Sequence, residues 1–340
     1  MNLYVAYHST DFVTQVNLDT LTRVSAIDLT PGGGGDYGID AIVIGDSLYL
    51  ARDCWPGSII RVDLPTFAET GRCLVAEGWL GSGAPHALAY FNDILYVVID
   101  DPPGEPLGGV IRINVPTMTQ VDRLDLNARW PVCPIIDGNF LYVPHSLTSG
   151  ELRRITLVPF ALNATINLST QYARCSVIEG TNLYIGHDIS PAVITKVDLI
   201  TFTETITETF DVGENWCWSI VSDGTYLYCG LASAGEPGII VRVDIATFTR
   251  VDALTLPLAE RDIWNLYIYN NQLWALCETA PTNVVRIDIP TFTRVGGLQL
   301  DPSEYDAWAG ALWLPPVPPS PPPSLPSKPS VITLPATGVS

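Results

Sequence analysis

Two short landmarks that each recur seven times, with four strand-like runs in every recurrence, predict an all-β ring of seven blades, a β-propeller of four-stranded antiparallel sheets. The first landmark is a Leu-Tyr or Leu-Trp pair, at Leu3-Tyr4, Leu48-Tyr49, Leu95-Tyr96, Leu141-Tyr142, Leu183-Tyr184, Leu227-Tyr228 and Leu273-Trp274, spaced by about 40 to 47 residues. The second is a tetrad of alternating polarity. It reads Gln15-Val16-Asn17-Leu18, then Arg61 to Leu64, Arg112 to Val115, Arg154 to Leu157, Lys196 to Leu199, Arg242 to Ile245 and Arg286 to Ile289. Period-two alternation marks a strand with one wet face.

The sixth copy shows the four runs. Ser219–Ser222 is the first strand, Asp223-Gly224 a hairpin turn, Tyr226–Leu231 the second strand, Ile239–Asp244 the third and Val251–Leu256 the fourth. Such a sheet has two apolar faces and buries them only against neighbouring blades, so the ring must close. The chain begins at a second strand, and the missing first strand recurs near the other end in Tyr305-Asp306-Ala307-Trp308-Ala309-Gly310-Ala311-Leu312-Trp313. The expected closure is therefore a C-terminal strand completing the first blade, which turns two exposed edges into a paired ladder. The predicted propeller spans 1–314 and a proline-rich tail spans 315–340.

Leu227-Tyr228-Cys229-Gly230 followed by Val241-Arg242-Val243-Asp244-Ile245-Ala246-Thr247 resembles the YVTN and NHL class of propeller repeats, over residues 1–313. That resemblance implies the fold. The class includes surface-layer proteins, scaffolds, sensors and a few enzymes, so it implies no single function.

Hydrophobic residues are 47% of the chain, enough for a sizeable core, whereas charged residues are only 16% and the net charge is −19. So acidic a chain argues against nucleic acid and against anionic lipid, which are bound by clustered Lys and Arg. No stretch is long and apolar enough for a membrane-spanning helix. Met1 runs straight into a strand, with no leader-like basic and apolar segment. Seven cysteines in a chain of this length are expected to be small buried hydrophobes; Cys217 and Cys229 flank one hairpin and could face each other.

The tail carries Pro315, Pro316, Pro318, Pro319, Pro321, Pro322, Pro323 and Pro326, a polyproline II composition. Either it is a passive spacer or it docks on a partner protein, since stiff chain loses little entropy on binding. Leu334-Pro335-Ala336-Thr337-Gly338 resembles the sortase motif of Gram-positive wall-anchored proteins, which would imply a wall anchor.

The chemistry is sparse. No metalloprotease helix motif and no phosphate loop with its lysine occur, and Pro31 to Asp36 is a glycine run with no helix after it. His145 and His187 occupy equivalent positions after Leu-Tyr, with His8 one residue further along; all three read as polar strand-end residues. Asp53, Asp100, Asp188 and Glu278 share that strand-end rim. Calcium-dependent propeller lactonases hold their ion near the axis with carboxylates and amides. The polar candidates here, Asp40, His86, Arg174, Ser219 and Asn265, form no recognisable set. No catalytic residue, metal ligand or cofactor is expected, and no acid–base pair near the axis.

One pattern is non-random. Every loop entering a first strand carries an aromatic residue: Tyr37, Trp79, Trp130, Tyr172, Trp216 with Trp218, Trp264, and Tyr305 with Trp308. These loops share a face with the long loops between second and third strands, one of which carries Trp55. They are read either as a contact surface for protein or glycan, or as plugs between blade tops. The expectation is a non-enzymatic binding or structural module in an assembly such as a virion. The alternatives are an exported or wall-associated glycan-binding adhesin, or a lactonase-like or glycan-cleaving enzyme.

Overall fold

The computed structural model describes residues 1–29, 37–53, 57–75, 84–100, 108–232 and 235–314, without the side chain of Tyr37. Seven four-stranded antiparallel sheets form a ring, with no helix among the described residues. The first strands, Ala307–Trp313 of blade 1, Tyr37–Ile44, Ala84–Phe91, Ile135–Asp137, Ala173–Glu179, Cys217–Ser222 and Ile263–Tyr269, touch one another in turn around the axis. In the sixth blade the second and third strands lie where the sequence places them. Its first begins at Cys217 and its fourth runs Thr249–Thr255, each starting two residues earlier than expected.

Closure is as expected. Ala307–Trp313 pairs antiparallel with Asn2–Tyr7, from Asn2 opposite Trp313 to Tyr7 opposite Ala307. Arg23 on the fourth strand of blade 1 makes a charge-assisted pair with Glu304 at 2.8 Å, tying the entry of the closing strand to the start of the chain.

The core is divided among the blade interfaces. Seven buried clusters each draw on two adjacent blades, including one shared by blades 7 and 1 (Leu3, Val5, Trp274, Leu276, Ala307). The repeat landmarks explain the contact. The buried tyrosine of one blade meets the phenylalanine of the next blade's Thr-Phe turn: Tyr4–Phe67 at 5.5 Å, Tyr142–Phe202 at 6.0 Å, Tyr184–Phe248 at 5.7 Å and Tyr228–Phe292 at 5.9 Å. The third-strand cation lies over the same ring, as Arg154 over Phe202 and Arg242 over Phe292 at 4.3 and 4.6 Å. The turn that presents each phenylalanine is pinned by its Asp: Asp198 accepts from the Thr201 N–H at 2.7 Å, and Asp244 from Thr247 at 2.8 Å.

The tight turns on the opposite face need left-handed backbone. Gly45 and Gly138 supply it at φ 59° and 56°, and Asn270–Asn271 takes the two-residue form with both φ positive. The six described cysteines are unbridged. Cys229 stands opposite Ile220 and Cys217 opposite Leu231, so the two are not in register, yet their thiols approach each other as the sequence suggests; the Cys217 sulfur also lies 3.8 Å from that of Cys175 in the neighbouring blade. The proline tail, the Leu334–Gly338 segment and the Pro31–Asp36 run lie outside the described residues.

Candidate functional site

Each first strand slips register against its second strand by one residue, near the entry end. The unpaired residues are Ile39, His86, Arg174, Trp218, Trp264 and Trp308. In blade 4, Pro131 bridges to His145 and Ile135 pairs with Tyr142, which puts Val132 in the same place. A bulge leaves one residue out of the ladder and re-aims its side chain. All seven line one cavity of about 450 Å³ at the mouth of the axial channel. Asp40, Ser219 and Asn265 line it one residue deeper. The five polar candidates that made no set in the sequence thus share a single cavity.

Most of them are engaged in joining blades. Asp40 accepts from the Leu88 N–H of the next blade and from Ala41, both at 2.8 Å. Burial pushes its carboxyl up to about 6, against those two hydrogen bonds. Ser219 accepts from the Leu266 N–H at 2.8 Å, the same blade-to-blade link, and Asn265 donates to the Trp308 carbonyl at 2.7 Å. His86 is shifted down by burial; Asp100 and Asp53 oppose the shift and Arg174 adds to it.

The aromatic residues divide into two groups. Trp218, Trp264 and Trp308, the bulge residues of blades 6, 7 and 1, turn inward and pack in a row. Trp264 and Trp308 stack at 4.3 Å and 18°, Trp218 crosses Trp264 at 4.4 Å and 45°, and His8 stacks on Trp308 at 3.6 Å. The Trp218 indole donates to Asp188 at 3.0 Å and that of Trp264 to Glu278. These rings pack on one another, with His8 against Trp308 and Arg174 over Trp264, and so wall the cavity. Trp216 lies 6.5 Å from Trp218.

The second group stands on the rim. Trp130, Tyr172 and Trp216 each have φ 54°, and the equivalent Asp262 and Asp306 are also left-handed. The carbonyl of each accepts the N–H of the residue that ends the second strand's run: Ser146, Asp188, Ala232, Glu278 and His8. Trp130 is 52% exposed and Tyr305 37%, while Tyr172 and Trp216 are half-buried. Trp55 and Trp79, and the side chain of Tyr37, lie outside the described residues.

The strand-end rim holds a feature the sequence reading did not foresee. There Glu278 and Asp306 form a hydrogen-bonded pair. Burial, the bond to Asp306 and its charge push Glu278 up to about 8. Burial alone would raise Asp306 too, but bonds from Glu278 and Ser9 and the nearby His8 hold it below its ordinary value. The two shifts favour holding a proton on Glu278 rather than on Asp306. The Nδ1 of His8 is 3.5 Å from Asp306. Glu278 and Asp306 are 28 positions apart and meet on the strand-end rim, outside the residues that line the cavity, because the closing strand seats beside blade 7.

His145 and His187 are strand-end residues as expected, and fully buried. Each donates from Nδ1 to the carbonyl of an entry loop, Arg129 at 3.0 Å and Gln171 at 2.9 Å. Burial depresses both to about 4, so they are neutral staples at physiological pH.

No protein-family model matches this sequence, and no curated protein matches it. Among solved structures, the chain is similar to Kuenenia stuttgartiensis hydrazine synthase, at 12% identity with a TM-score of 0.66, covering 88% of this chain and 92% of that one. It is similar to the dihydro-heme d1 dehydrogenase NirN, at 14% identity with a TM-score of 0.62, over 91% of this chain and 65% of that one. It is also similar to the computationally designed Ika8 protein, at 11% identity with a TM-score of 0.64, over 91% of this chain and 87% of that one. At such identities these likenesses support the β-propeller fold and nothing finer.

Proposed function

We propose that this chain, a propeller with YVTN/NHL-like repeats, is a non-enzymatic binding module of a larger assembly such as a virion, and engages its partner through the face that carries the axial cavity. The carrying observation is the concentration of irregular backbone on that face. Seven bulges turn one residue per blade toward a common mouth. Trp130 and Tyr305 stand exposed around it, whereas the other face is built from tight turns. Exposed aromatics beside a concave mouth are what protein interfaces use as anchors.

The test is co-fractionation in the source organism of the full chain and of a variant carrying Trp130→Ala and Tyr305→Ala. The wild type is expected in large particles and the variant as free chain. Wild-type protein running entirely at the mass of the free chain overturns the proposal; recovery only in the cell-wall fraction would favour the adhesin alternative.

A further inference from the structure

We infer that the axial cavity is a binding site for a small polyhydroxylated carboxylate of the sugar-acid class, with Arg174 as its anchor. The argument starts from Arg174 itself. It is the bulge residue of blade 5, turned into the cavity out of the strand ladder. Its guanidinium lies over the tryptophan wall, 4.7 Å from the centre of Trp264 and 5.8 Å from that of Trp218. Among the described residues it makes no hydrogen bond and no ion pair. Arg23, Arg250 and Arg294, by contrast, are each committed to a glutamate. An arginine with no hydrogen-bond partner has N–H groups to offer, and its planar fork matches a carboxylate bidentately. In a chain of net charge −19, a cavity cation with no carboxylate against it is a place reserved for an anion brought from outside.

The opposite wall defines the rest of the ligand. Asp40 and Asp53 belong to blade 2, three blades from Arg174 and so nearly across a seven-blade ring. They are acceptors, and Asp40 already takes two backbone N–H groups. A ligand whose carboxylate meets Arg174 must therefore offer hydroxyl donors at its far end. A cavity of about 450 Å³ is in the range that holds a small ligand. The carboxylate, held by Arg174, supplies the affinity. The site opens on the same face as the proposed partner contact but does not use its exposed anchors, Trp130 and Tyr305, which lie outside the cavity lining.

The test uses the full chain and the cavity's own tryptophans as reporters. D-glucuronate is titrated against tryptophan fluorescence with D-glucose as the neutral match, for the wild type, Arg174→Lys and Arg174→Ala, each first shown to melt like the wild type. Saturable quenching by glucuronate is expected, with glucose at least tenfold weaker. Arg174→Ala is expected to lose roughly tenfold to a hundredfold in affinity, the worth of a charge-assisted bidentate bond. Arg174→Lys should fall between, because it keeps the charge and loses the fork. Equal binding of glucose, unchanged binding by Arg174→Ala, or no saturation by glucuronate overturns the inference.

Discussion

Blades 6, 7 and 1 and blades 2, 3 and 4 share the same strand plan but are held together differently. In the first arc, an arginine at the second position of the fourth strand reaches a nearly buried glutamate in the entry loop: Arg250 to Glu214, Arg294 to Glu260 and Arg23 to Glu304. The same glutamates fix their own loops, as where Asp211 and Asp301 donate their N–H groups to Glu214 and Glu304, both at 3.0 Å. In the second arc that arginine position holds Glu69, Gln120 and Leu162. Blade 4 in addition has a first strand of only three residues, because Pro131 and Pro134 withhold donors just before it. The stacked tryptophans belong to the latched arc, while Ile39, His86 and Val132 are the bulge residues of the other. Repetition thus fixes the blades, and departures from it place rigidity on one side of the ring.

The largest expected effect breaks the latched arc at its centre. Deleting 305–340 removes the closing strand and with it the buried Ala307, Ala309 and Trp313 between blades 7 and 2. Thermal melts should show loss of the cooperative transition, whereas deleting 316–340 should leave the melting temperature unchanged. Equal melts for the two truncations would show that the ring stands without its latch.

Of intermediate size is the cost of one latch. Arg250→Ala leaves Glu214 nearly buried without its cation. The expected loss is about 2–3 kcal/mol, below the full range for a broken buried pair because the arginine is part-exposed. Gln120→Ala, at the matching position of blade 3, should stay within about 0.5 kcal/mol. Denaturant midpoints for both would decide, and similar losses would dissolve the contrast between the arcs.

The smallest effect concerns pH. The folded Glu278 carboxyl is raised from 4.5 to about 8, so between those values the folded state binds more protons than the unfolded. Its contribution is therefore complete below about 4.5 and is lost as pH rises toward 8. Asp306, depressed, acts oppositely: its contribution is present above its ordinary value and lost on acidification. Asp262 adds a further negative charge and His8 sits beside Asp306. Glu278→Gln should raise the melting temperature at pH 8 relative to wild type and flatten its decline above pH 5. A variant whose melting temperature still falls with the wild-type slope would place the proton elsewhere.

Much of this architecture was written in the chain. The Leu-Tyr pairs, the alternating tetrads and the Thr-Phe turns are local patterns, and local patterns set strand, turn and blade count. The closing strand was legible too, because Ala307–Trp313 is a first strand with no blade after it. What the residues lining the mouth would do was not. The bulges are slips of backbone register, which leave no signature in residue type. They decide that Trp218, Trp264 and Trp308 face the axis while Trp130 and Tyr305 face outward, and they bring Asp40, His86, Arg174, Ser219 and Asn265 into one cavity. Glu278 and Asp306 likewise meet only across a closed ring. The sequence by itself determined which strands form and how many blades they make. Only the tertiary structure decided which side chains meet at the axis, because that depends on register and closure, and neither is a property of any single repeat.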